Sequence, residues 1–175
     1  AHTGDPLSRT DAGIVHVFFG QTGLVTSAVD LLTYSSGSAG FRIFGAVAGD
    51  NCGISIANTG DVNHDGIDDL IVGCPYADPL SRTSAGIAYV IFGHSMFTAF
   101  TDLDLASFTS GVKGFKILGA VGWDYAGRAV SGAGDFNGDG IDDVIVGAYF
   151  ADPLSRFDAG AAYIISGHTT ATSFT

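Results

Sequence analysis

The stretch GDFNGDGIDD, residues 134–143, sets Asp135, Asn137 and Asp139 on alternate positions, bends at Gly140 and closes on Asp143. Carboxylates placed so close repel one another unless a partner of opposite charge sits among them. The arrangement recurs upstream in GDVNHDGIDD, residues 60–69, with Asp61, Asn63, Asp65, Gly66 and Asp69. Each run passes directly into a β-branched apolar segment, DLIVGC at 69–74 and DVIVGA at 143–148. Such segments read as buried strands. An acidic loop feeding a buried strand, twice over, sets the frame for the rest of the chain.

Working outward, the whole sequence repeats. GDPLSRTDAG (4–13), ADPLSRTSAG (77–86) and ADPLSRFDAG (151–160) are three copies of one segment, and GFRIFGAV (40–47) matches GFKILGAV (114–121). The starts lie 73 or 74 residues apart, so the chain holds a little over two copies of one unit. Within a unit, CGISIAN (52–58), DLIVGC (69–74), GIAYVIFG (86–93) and GFKILG (114–119) read as four short strands divided by Gly/Asp/Pro turns. Four strands per repeat is the pattern of a propeller blade. The expected fold is all-β: blades of four-stranded antiparallel sheets in an incomplete ring. The organisation is a partial blade over 1–48, a full blade over 49–121 and a partial blade over 122–175. The partial blades are expected to hold strands at 13–20 and 41–45, then at 127–132, 143–148 and 160–167. FTDLDLASF (100–108) reads as a helical turn or two.

Composition agrees and excludes other classes. Of 175 residues 46% are hydrophobic and 26 are glycine, which suits short strands and tight turns. The formal net charge is −11, and all 18 acidic residues are aspartate. The two lysines, Lys113 and Lys116, give nucleic acid or an anionic membrane little to bind. No apolar run approaches the ~20 residues that span a bilayer. The chain starts at Ala1 and is expected to be a processed or excised portion of something longer.

Hard dications take six to eight oxygen ligands, which short acidic loops can supply. In the first loop Asp61, Asn63 and Asp65 offer side chains, Ile67 a backbone carbonyl and Asp69 the closing carboxylate. The second loop offers Asp135, Asn137, Asp139, the Ile141 carbonyl and Asp143. An EF-hand would require an acidic residue at position twelve and a helix after it. Position twelve is Val72 or Val146, inside a strand-like run, so that reading fails. The competing reading is a set of Asx-turns in a hairpin. Asp68 and Asp142, at position eight, are expected to cap the turn or face solvent.

These residues resemble the FG-GAP repeat of integrin α-subunit propellers, most specifically in D-x-N-x-D-G-x-x-D followed by DLIVGCP or DVIVGAY. The chain departs from that pattern at Cys52-Gly53 and Ala126-Gly127, where the family has Phe-Gly. It departs again at Gly73-Cys74-Pro75 and Gly147-Ala148-Tyr149, where the family has Gly-Ala-Pro. The resemblance implies an integrin α N-terminal-like propeller with one calcium ion per loop, hence two per chain. It also implies an extracellular or cell-surface adhesive or structural module without catalysis. Expected partners are other copies of the chain or the rest of a longer parent chain, with an extracellular protein or glycan as a further ligand. The rival is a carbohydrate-binding or enzyme-associated propeller fragment. That rival needs an aromatic or acidic cluster peculiar to one copy, and Trp123 with Tyr125 is the candidate, because Gly49 and Asn51 hold those places in the other unit.

Other residues have plainer readings. In DPLSR, Arg9, Arg82 and Arg156 are expected to pair with Asp5, Asp78 and Asp152 or to brace a neighbouring carbonyl. Ser8, Ser81 and Ser155 lack a nucleophile elbow and a histidine in register, so they are not read as catalytic. His16 stands where Tyr89 and Tyr163 stand, as a packed strand residue. His64 faces Gly138 across the copies and is no essential ligand. Cys52 and Cys74 flank the first loop symmetrically, and both become alanine in the next unit, Ala126 and Ala148. Neighbouring side chains, joined as a disulfide or held as two buried thiols, are expected. The Ser/Thr-rich HTTATSFT (168–175) reads as a connector or an O-glycosylated tail.

Overall fold

A computed structural model of the chain describes residues 5–20, 28–37, 39–94 and 101–169. Among the described residues ten strands form three sheets: β1 (Ile14–Phe18), β2 (Gly40–Phe44), β3 (Ser55–Gly60), β4 (Asp69–Cys74), β5 (Ile87–Ile91), β6 (Leu103–Asp104), β7 (Gly114–Leu118), β8 (Ala129–Gly134), β9 (Asp143–Ala148) and β10 (Ala161–Ile165). The complete blade runs β3-β4-β5-β7, antiparallel throughout. The sheet before it is β1-β2-β6 and the one after it is β10-β9-β8. The fold is all-β, three propeller blades in succession, and they do not close a ring.

Side-chain alternation places the core. Val72, Cys74 and Tyr89 face the first sheet and pack with Val15 and Ile43. Their strand neighbours Ile71, Ala88 and Val90 face the third sheet and pack with Val144, Val146 and Ala148. The middle blade is thus buried on both faces. Close approach between blades requires glycine at particular points. A Cβ on Gly86, whose φ is +88°, would lie 2.0 Å from the Ala126 carbonyl oxygen, and one on Gly73 would lie 1.9 Å from that of Gly127.

The same tyrosine shows what the far side lacks. Tyr89 is 1% exposed, under Phe108 at a ring distance of 5.4 Å, whereas its counterpart Tyr163 on β10 is 43% exposed. Among the described residues no strand pairs with the outer edge of β10.

Segment 101–108 differs from the expected helical turn. Leu103–Asp104 forms a two-residue strand, followed by a 3-10 turn at Leu105–Ser107. It pairs in parallel with the preceding blade, Leu103 with Ile43 and Asp104 with Phe44. Asp104 accepts from Arg9 Nη1 at 2.7 Å and Nη2 at 2.5 Å, and Asp102 takes Arg42 Nη2 at 2.5 Å. The connector of one blade therefore clasps the blade before it.

Candidate metal loops and an aromatic cleft

Both acidic loops join a first strand to a second, β3 to β4 and β8 to β9. Gly66 and Gly140 share a φ of +87°, the left-handed bend that position six demands. The side chains hold their own backbone in matched ways. Asp61 Oδ1 accepts from Asp65 N at 2.9 Å and its Oδ2 from Gly66 N at 2.7 Å. Asp135 does the same with Asp139 N and Gly140 N, both at 2.9 Å. Asn63 Oδ1 accepts from Asp65 N, as Asn137 Oδ1 does from Asp139 N. Asp65 and Asp139 each accept from the amide two residues on, Ile67 or Ile141, at 2.9 Å.

Asp69 and Asp143 act differently. They are 2% and 1% exposed, and each spans two elements. Asp69 accepts from Val62 N at 3.0 Å and from Gly93 N at 2.8 Å, and Asp143 accepts from Phe136 N at 3.0 Å and Gly167 N at 2.9 Å. Each ties its loop to the end of the third strand. Burial, with the charges of Asp65 and Asp61 adding to it, pushes the Asp69 carboxyl up to about 6, and the two amides pull the other way. Asp68 accepts from Asn58 Nδ2 at 2.9 Å, and Asp142 reaches across blades to accept from Asp61 N at 2.9 Å. One loop's position-eight carboxylate thus props the other loop.

Among the described residues no three His, Cys or Asp side chains stand gathered as a ready metal cluster. The carboxylates are turned onto amides instead, the Asx-turn arrangement. The donor set nonetheless suits a hard cation: every donor is an oxygen, and a carboxylate oxygen that accepts one amide keeps a second lone pair.

Cys52 and Cys74 form a disulfide with their Cα atoms 4.1 Å apart. The hairpin register pairs Ser55 with Gly73, so the two cysteines are not directly opposed in the ladder. Cys52 lies in the turn before β3 and reaches the end of β4 from there.

In the DPLSR loops Arg9 and Arg82 brace carbonyls, and neither pairs with the aspartate of its own loop. Asp5, Asp78 and Asp152 each accept, at 2.7 Å, from the backbone amide six residues on: Asp11, Ser84 and Asp158. Leu7, Leu80 and Leu154 adopt φ of 54–56°, turning the chain back far enough to make that bond. Arg9 pairs instead with Asp104 and the Gly45 carbonyl, and Arg82 donates to the Ala120 carbonyl at 3.0 Å. Sequence spacing could not show the Asp104 pairing, because that partner lies 95 residues away.

These loops and the blade-to-blade connections frame two equivalent clefts at the end opposite the acidic loops. One, of about 640 Å³, is lined by Gly49, Asp50, Asn51, Tyr76, Asp78 and Thr83 among others. The other, of about 620 Å³, carries Trp123, Asp124, Tyr125, Phe150, Asp152 and Phe157 at the corresponding places. Tyr125 sits 6.3 Å from Trp123, 5.8 Å from Tyr149 and 5.7 Å from Phe150, measured between ring centroids. The buried carboxyls below titrate high in both clefts. Desolvation raises Asp50 to about 6 and raises Asp124 as well, with Asp78 and Asp152 adding like charge. Trp123 and Tyr125 were legible as a pair; Phe157 was not, although a comparison with Thr83, its counterpart, would have shown it.

Comparison with known proteins fits this geometry. The FG-GAP repeat family matches residues 53–91 and 126–165. Integrin alpha pat-2 of Caenorhabditis elegans is 39% identical over 120 residues, which is 68% of this chain and 9% of that protein. Integrin alpha-2 of Bos taurus is 34% identical over 97 residues, 55% of this chain and 7% of that protein. Phosphatidylinositol-glycan-specific phospholipase D of Bos taurus is 37% identical over 109 residues, 61% of this chain and 12% of that protein. The chain thus spans about a tenth of the length of these curated relatives. Two matches of one repeat model, each copy wrapping an acidic loop between the first two strands of a blade, make residues 53–91 and 126–165 FG-GAP repeats of the integrin α-like propeller kind.

Proposed function

We propose that the chain is an extracellular, calcium-stabilised structural or adhesive module without catalysis. The observation that carries this reading is the pair of acidic loops with matching hydrogen bonds, linked to each other through Asp142 and Asp61 N. Calcium would be held by Asp61, Asn63, Asp65, the Ile67 carbonyl and Asp69 in one loop. Asp135, Asn137, Asp139, the Ile141 carbonyl and Asp143 would hold it in the other. The ion would supply charge neutralisation and rigidity, since protein oxygens fill these sites. Integrin α relatives support an adhesive role, while a relative named as a phospholipase shows that such repeats also occur in an enzyme. The non-catalytic assignment rests on this chain's own loops, whose serines lack a nucleophile elbow. Among the described residues no helix is long and apolar enough to cross a membrane.

The open edge at β10 and the uncovered Tyr163 and Ile164 suit a partner that adds a strand, either another copy or the rest of a longer chain. Calorimetric titration with calcium, coupled to light scattering, tests both parts. Two ions per chain are expected, with one lost in Asp65→Ala and one in Asp139→Ala. Chelation should lower Tm, removing about 3 kcal/mol of stability per site at calcium levels 100-fold above Kd and so about 5 kcal/mol for two independent sites. No bound ion at millimolar calcium would overturn the metal reading, and a monomer at micromolar concentration in calcium would overturn the partner reading.

A further inference from the structure

The aromatic cleft is absorbed by none of this. Unit by unit, Gly49 becomes Trp123, Asn51 becomes Tyr125, Pro75 becomes Tyr149 and Thr83 becomes Phe157. Three of these aromatic residues, Trp123, Tyr125 and Phe157, line one cleft and Tyr149 packs behind them against Tyr125 and Phe150, while the floor, Asp50 and Asp78 or Asp124 and Asp152, stays the same.

The backbone makes the change unfavourable for folding. Position 49 is a glycine at φ +86°, and Trp123 takes the same left-handed region at φ +70°. A bulky side chain there is strained, and Trp123 recovers little by packing, because it is 60% exposed. Phe157 is 85% exposed, Tyr149 46% and Phe150 41%. A strained and exposed ring set has the character of a binding surface.

We propose that this cleft binds a neutral pyranose sugar, its C–H face stacked on the exposed rings and its hydroxyl groups directed at Asp152 and Asp158. The rings form an open shelf, so the ligand must be apolar on one face and hydrated on the other. A wholly apolar ligand would strip water from the carboxylates without replacing their hydrogen bonds. An anion meets a chain of formal charge −11. A lone cationic side chain would meet Asp152, which already accepts from Asp158 N, and would leave most of the exposed ring shelf uncovered; Asp124 is buried and accepts from Val121 N. Sugar hydroxyls need only the lone pairs these groups still have. None of the rings or carboxylates belongs to the acidic loops, so this inference stands or falls apart from the calcium reading.

Trp123 is the sole tryptophan of the chain, so its fluorescence reports the site directly. The full chain in calcium is titrated with cellobiose, chitobiose and lactose. At least one disaccharide is expected to give a saturable emission shift with Kd at or below about 1 mM. Phe157→Thr and Tyr125→Asn, which install the other unit's residues and keep the reporter, should each weaken binding at least tenfold at unchanged Tm. No saturable shift with any of the three overturns the proposal. So does an unchanged affinity in both variants, or a shift produced by an oligoarginine peptide and by none of the sugars.

Discussion

The two ends of this propeller segment differ in how faithfully its units copy one another. At the acidic end the two loops share their clasping bonds: the same aspartate holds the same amides, and the sixth residue is glycine at the same φ, while Asn63 and Asn137 donate to different partners. At the opposite end the carboxylate floor is retained while the walls change from Gly49, Asn51 and Thr83 to Trp123, Tyr125 and Phe157. The acidic end repeats because its side chains organise their own backbone, and a substitution there loses several hydrogen bonds at once. The cleft walls project from a backbone already fixed by neighbouring strands, so they vary without unmaking it, although Trp123 carries left-handed strain. One end holds the repeat together; the other distinguishes one unit from the next.

The largest effects should come from the buried clamps of the acidic end. Asp69→Ala strands the Val62 and Gly93 amides, and Asp143→Ala strands those of Phe136 and Gly167. Each should cost about 3 kcal/mol in denaturant unfolding with chelator present, which separates the clamp from any metal effect. A loss under about 1 kcal/mol at one position only would break the equivalence of the two loops.

The disulfide offers a second test, because the third sheet carries alanines where the middle blade is bridged. Converting Cys52 and Cys74 together to alanine makes the middle hairpin match Ala126 and Ala148. The expected loss is about 3 kcal/mol, read as a lower denaturation midpoint.

The clefts share a floor of buried carboxyls whose affinity for protons is raised by burial, and pH probes that floor. Asp50 holds its proton up to about 6 when folded, against an ordinary value of 3.8. A folded state that binds the proton more tightly is most stable below the unfolded value and loses stability as pH rises from about 4 to 6. Asp50→Asn keeps an acceptor for Val47 N and removes the buried charge. At pH 7 it should stabilise the chain by about 1–2 kcal/mol after allowance for solvent screening, and it should flatten the pH profile between 4 and 6. The smallest effect is expected from Trp123→Gly, which installs the residue of the other cleft. Relief of the left-handed strain, less the entropy of glycine, should raise stability by about 0.5–1 kcal/mol.

Much of this was legible in the sequence, for reasons that particular residues illustrate. The acidic loops and the β-branched strands after them are local, and local chemistry shows in spacing. β6 escaped because a two-residue strand has no periodicity and its partner, Ile43–Phe44, belongs to the preceding blade. Of the two arrangements that DPLSR offers its arginine, bracing a carbonyl is the one that Arg9 and Arg82 adopt, while Asp5 is held by the Asp11 amide and Arg9 also reaches a distant connector that no spacing shows. The hairpin register is not symmetric about Cys52 and Cys74: Ser55 pairs with Gly73, so Cys52 falls two residues short of the position opposite Cys74. The expected connector HTTATSFT lies, beyond Thr169, outside the described residues.

The clasp formed by Leu103 and Asp104 gives the array a mechanical direction. A blade hung only from its neighbours' apolar faces would peel away one contact at a time. Here the connector of the middle blade lies along β2 in parallel, with Arg9–Asp104 and Arg42–Asp102 as two charged rivets beside it. Tension drawn along the strands would load the ladder and both rivets at the same moment, in shear. The first two blades would then resist pulling as a single jointed link, while the second and third are joined by smaller bonds, from Ser55 Oγ to the Gly127 carbonyl and from Asp61 N to Asp142.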